Sequence, residues 1–123
     1  MADGPDRTEA SRPTISTHVL DTEQGRPAEG VHVTLYKLAE SGPIRMTQAL
    51  TDADGRVRDL LERPLAAGDY RLEFNLAGER QAGTGDDRFF RRLTVDLRVS
   101  DAHRSYHVPL LLAPYAMTTY RGT

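Results

Sequence analysis

The chain has 123 residues, 38% apolar and 28% charged, enough for one domain with a real core. Its net charge of −2 leaves no basic footprint for nucleic acid or an anionic membrane. Cysteine is absent, which excludes disulfides, thiolate nucleophiles and Cys-ligated zinc, and no apolar run approaches the roughly 18–20 residues of a membrane-spanning helix.

Residues 1–13, MADGPDRTEASRP, are polar and contain two prolines and a glycine, so they predict a disordered tail before a domain over 14–123. They lack the apolar segment of a secretory signal, and a cytoplasmic protein is the expectation. TISTHVLD (14–21) reads as the first strand, closed by the turn residues of TEQGRPAEG. VHVTLYKL (31–38) alternates, with Val31, Val33 and Leu35 on one face. SGP (41–43) predicts a turn, IRMTQALT (44–51) a strand, and DADGR the next turn. DYRLEFNL (69–76) sets Leu72, Phe74 and Leu76 on one face. LAGERQAG (76–83) is the one short helix expected. FFRRLTVDLRVSD (89–101) predicts a strand with Leu93, Val95, Leu97 and Val99 inward and Thr94, Asp96 and Arg98 outward. SYHVPLLLAPY (105–115) is the most apolar strand, and AMTTYRGT closes the chain. Pro109 within it predicts an edge position or a bulge, because proline donates no ladder hydrogen bond. Seven to eight strands at short spacing are the signature of an all-β sandwich.

The histidines are His18, His32, His103 and His107. On a strand, His103 and His107 would lie about 13 Å apart, too far to chelate one ion. With no HExxH motif and no carboxylate–histidine cluster, no metal site is expected. His18 shares a face with Ser16 and Leu20, opposite Ile15, Thr17 and Val19; His107 shares one with Pro109 and Leu111, opposite Tyr106, Val108 and Leu110. Two readings stay open for these histidines. They are half-exposed strand residues bonded to backbone, or they line a site, histidine being the natural general base near neutral pH. Arg56, just after the turn DADG, reads either as a solvated residue or as part of such a site. Ser16, Thr17 and Thr123 sit in no G-x-S-x-G or S-x-x-K arrangement that would make a nucleophile. On these residues alone the function stays open.

The two ends carry a resemblance. STHVLDTEQGRPAEGVHVTLYKL (16–38) resembles the opening of the transthyretin fold, and YHVPLLLAPYAMTTYRGT (106–123) resembles its close. TDADGR and the Phe89–Phe90 pair fall in the expected order between them. Within that family the 5-hydroxyisourate hydrolases end on Tyr-Arg-Gly-Ser and the hormone carriers do not; here the ending is Tyr120, Arg121, Gly122 and Thr123. The chain departs from the family pattern at Thr123 (usually serine), at Arg91 (usually proline), and at Ala113, Ala116 and Met117, while Tyr115 is kept. NLAGERQAGTGDDR (75–88) departs most.

The resemblance implies a transthyretin-like sandwich assembled as a homotetramer, its subunits paired edge to edge and then face to face around a channel. It implies a hydrolase in urate (purine) catabolism that opens 5-hydroxyisourate to 2-oxo-4-hydroxy-4-carboxy-5-ureidoimidazoline. The implied catalytic residues are His18, His107 and Arg56, and the implied substrate contacts are His18, Arg56, Tyr120, Arg121, Gly122 and Thr123, with no metal and no other cofactor. The alternative within the same fold is a carrier of a small aromatic ligand in the channel. A purely structural sandwich is a third reading, and it would not bring His18, Arg56 and His107 together.

Overall fold

The computed structural model describes residues 12–76 and 89–123. Among them are nine strands, two of only two residues. They are β1 (Ile15–Asp21), β2 (Arg26–Pro27), β3 (His32–Ala39), β4 (Gly42–Leu50), β5 (Arg56–Val57), β6 (Gly68–Asn75), β7 (Arg92–Val99), β8 (Tyr106–Ala113) and β9 (Ala116–Thr119). One sheet runs β2-β1-β8-β9, with β5 also paired to β1; the other runs β4-β3-β6-β7. The expected helix over 76–83 lies, beyond Leu76, outside the described residues, as do residues 1–11 of the expected tail. Arg12, at the end of that tail, binds Asp59 at 2.6 Å.

The period-2 pattern becomes the core. Ile15, Val19, Val33, Leu35, Leu72, Phe74 and Leu110 are fully buried between the sheets. Each such side chain contributes roughly 1.5–3 kcal/mol by leaving water. Thr17 is the polar residue on this inner face of β1; its hydroxyl donates to the carbonyl of Val108, so its burial leaves no unmet polar group.

Three expectations are corrected. The turn before β4 is Glu40–Ser41, not 41–43: Ala39 pairs with Gly42, and Gly42 takes the φ of +116° that closes the two-residue hairpin. The strand expected from Phe89 begins at Arg92; the two phenylalanines precede it, packed edge to face at 4.9 Å. Pro109 lies on an interior strand, between parallel β1 and antiparallel β9, with an unbroken register. Its neighbours explain how that is tolerated. Tyr106 donates to Thr14 and Leu112 accepts from Thr22, so the even residues of β8 serve β1. The odd ones face β9, which ends at Thr119 opposite Leu110. The missing N–H of Pro109 therefore points past the end of β9, and its carbonyl still accepts the Thr119 hydroxyl at 2.7 Å.

The outer faces of the two sheets differ. That of β6 and β7 is laced with cross-strand ion pairs, Arg71–Asp96 at 2.7 Å and Arg98–Asp69 at 3.2 Å. That of β1 and β8 carries no such ladder. It presents Ser16, His18, Leu20, His107 and Leu111, all half-buried, and Pro109, which is buried.

Candidate active site

Strand pairing alone brings the key groups together. Parallel β1 and β8 set Ser16 opposite His107, and antiparallel β1 and β5 set His18 opposite Arg56. Residues 91 positions apart thus meet side by side: Ser16 Oγ lies 2.9 Å from His107 Nδ1.

Arg56 reaches this face because of the turn that precedes it. Asp52 Oδ1 accepts the backbone N–H groups of Asp54 and Arg56 at 2.9 and 3.0 Å, which tightens DADG into a compact loop. These bonds, led by that from Arg56, hold the Asp52 carboxyl below its usual range. Gly55 adopts φ +77°, and a Cβ there would lie 2.4 Å from the Val19 carbonyl. Only glycine lets the loop run this close to β1, where Gly55 accepts the N–H of Val19 at 2.7 Å.

Ser16, Arg56 and His107 line a cavity of about 610 Å³ together with Thr14, Arg12, Arg58 and Asp59. Asp59 lines it with a carboxylate bonded to Arg12. Burial would raise its carboxyl, but hydrogen bonds from Thr14, Leu61, Glu62 and Arg12 outweigh that and hold it down to about 2. It is thus a structural anion, ionised at any working pH. His107 is shifted downward, first by its own burial and then by the positive charges of Arg56 and His18. The imidazole is therefore neutral at neutral pH, the state a general base needs.

The last residues close on the same histidine. Gly122 donates its N–H to the His107 carbonyl at 2.8 Å. A Cβ at Gly122 would sit 2.8 Å from His107 Cδ2, so glycine is what allows this terminal segment to lie against the ring. Tyr120 and Arg121 line a second hollow of about 320 Å³ between the edges of β7 and β9, which His107 also borders. The Arg121 guanidinium stacks over the Tyr106 ring at 4.8 Å. Thr123 is exposed, and its hydroxyl donates to the Gly122 carbonyl at 2.5 Å.

The single chain therefore brings Arg56 and His107 to one cavity, pairs His18 with Arg56 across β1 and β5, packs Gly122 on the His107 ring, and sets Tyr120 and Arg121 at the second hollow, with Thr123 exposed beyond. Sequence reasoning placed Ser16 on the face of His18 but did not foresee its bond to His107, and it missed Arg12, Arg58 and Asp59. The signal for the first would have been parallel pairing of the first and penultimate long strands, which periodicity does not reveal.

Residues 15–122 match the model of the HIUase/Transthyretin family. A 5-hydroxyisourate hydrolase of Salmonella dublin is 39% identical over 110 residues, covering 89% of this chain and 80% of that protein. Among solved structures, the 5-hydroxyisourate hydrolase of Klebsiella pneumoniae superposes with a TM-score of 0.75 at 35% identity, covering 90% of this chain and 99% of that one. Sea bream transthyretin, in complex with thyroxine, superposes with a TM-score of 0.76 at 28% identity, covering 87% and 92%.

Proposed function

The chain belongs to the HIUase/Transthyretin family, and from that membership and its polar cavity we infer that it is a 5-hydroxyisourate hydrolase. It opens the six-membered ring of 5-hydroxyisourate at an amide bond, giving 2-oxo-4-hydroxy-4-carboxy-5-ureidoimidazoline, a step of urate degradation. The observation that carries the reading is His107, hydrogen-bonded to Ser16 and with its pKa held below the ordinary value, lining one cavity with Arg56. A carrier for an aromatic ligand has no use for a base and a cation placed together.

The chemistry needs a base, a home for the oxyanion and a fixed substrate. His107 takes the proton of the attacking water, a service typically worth about 10²–10⁴-fold. Arg56 offers planar paired donors to the carbonyl oxygen as it gains charge, where losing one donor typically costs about 10²–10³-fold. His18, opposite Arg56 across the strand pair, orients substrate and shares in moving the proton. Gly122 ties the final segment against the base, and Tyr120, Arg121 and Thr123 form the wall that orients the planar substrate.

Assembly belongs to the same reading. The outer face of β1 and β8 is half-buried and free of ion-pair ladders, and β7 and β9 present their open edges to one shared hollow. A homotetramer pairs those edges and covers that face, removing both liabilities. We take residues 14–123 as the hydrolase unit and propose a cytoplasmic location for it, as expected from the sequence.

The test is to generate 5-hydroxyisourate with urate oxidase and follow its ultraviolet decay with and without the protein. Acceleration supports the hydrolase. Tight binding of a thyroxine-like aromatic without acceleration would favour the carrier.

A further inference from the structure

We propose that Ser16 is the positioning residue of the base: its Oγ accepts the Nδ1–H of His107 and so keeps Nε2 as the nitrogen with a free lone pair. The inference rests on the reading of His107 as the base, and it starts from one contact. Ser16 Oγ and His107 Nδ1 are 2.9 Å apart across adjacent parallel strands. Among the described residues, no other hydrogen bond reaches the His107 ring.

The direction of this bond decides what the ring can do. If the hydroxyl donates to Nδ1, the ring proton sits on Nε2 and neither nitrogen is left to take a proton from water. If Nδ1–H donates to the hydroxyl, Nε2 is free, and the same bond persists when the ring becomes imidazolium. Only the second arrangement serves a base that is protonated and released in each turnover. The contact on the other side supports a fixed ring: Gly122 lies so close to Cδ2 that a Cβ there would approach to 2.8 Å. The ring is thus held at Nδ1 by a hydrogen bond and at Cδ2 by packing.

The choice of partner also has a consequence. A carboxylate at this position would raise the histidine pKa and favour the charged ring. A neutral hydroxyl accepts the same proton without adding charge. Ser16 therefore fixes the tautomer while burial, Arg56 and His18 keep the ring neutral.

The test uses the intact protein with ¹⁵N-labelled histidine, read without substrate above the imidazole range. Wild type should show His107 in the Nδ1–H form. Ser16→Ala should give a mixture of tautomers, with kcat lowered about 10–100-fold and KM within about twofold, as for loss of an orienting partner. Ser16→Thr, which keeps the hydroxyl, should recover both signatures. An Nε2–H tautomer in wild type, an unchanged kcat in Ser16→Ala, or a covalent acyl adduct on Ser16 would each overturn the proposal. The last would make Ser16 a nucleophile, with its hydroxyl donating. Because the tautomer is read without substrate, failure of wild type to hydrolyse 5-hydroxyisourate would count against the activity and not against this contact.

Discussion

His107 is held by influences of three kinds: the hydroxyl of Ser16 at Nδ1, the backbone of Gly122 at Cδ2, and the positive field of Arg56 and His18. Burial and that field both lower its pKa from the ordinary 6.5. A base is active when unprotonated, so the catalysed rate should rise with pH along a limb centred below 6.5. An unperturbed imidazole, which is all the sequence licensed, would put this limb at about 6–7. The measurement is kcat against pH, with the spontaneous decay of substrate subtracted; a limb centred at or above 6.5 would contradict the assignment. Stability follows the same sign. The unfolded chain takes up the proton at higher pH than the folded one. The stability this histidine contributes is therefore complete above 6.5 and is lost as pH falls through the folded value.

At the level of the element, the DADG turn and β5 exist to bring Arg56 opposite His18, and Gly55 is the residue on which this depends. Alanine at Gly55 meets both an unfavourable φ of +77° and a carbonyl at 2.4 Å; alanine at Gly25 meets a similar φ of +70° but nothing within 4 Å. Gly55→Ala should therefore cost about 1–3 kcal/mol, more than Gly25→Ala, and should lower kcat by displacing Arg56. Thermal unfolding and turnover of the two variants make the comparison, and equal losses would refute the steric argument. The long inner strands were legible because one face of each is apolar: Val33 and Leu35, then Leu72 and Phe74, land in the core as their alternation predicts, whereas the two-residue β2 and β5 fall in segments that read as turns. Partner and direction were not legible. Period 2 says which face is inward, but nothing about which strand lies alongside. That is why Pro109 reads as an edge residue, and why the contact between Ser16 and His107 is invisible before β1 and β8 are seen to run parallel. His18, Arg56 and His107 were assigned through the family resemblance, at the two chain ends and at TDADGR between them, not through their spacing.

In the whole molecule, the proposed site lies on a sheet face that a lone subunit leaves open. Light scattering at micromolar concentration should report about four chains of 13.7 kDa, and a strictly monomeric protein with full activity would refute the assembly. Covering the face would remove more water from His107 and push its pKa further in the direction already present. The most direct test of the central claim compares wild type with His107→Ala, at equal concentration and with the assembly of both verified, in the ultraviolet decay of freshly generated 5-hydroxyisourate. The account predicts that wild type accelerates the decay and that His107→Ala loses at least about a hundredfold in kcat. Decay no faster with wild type than in buffer, or an equal rate in the variant, would contradict it.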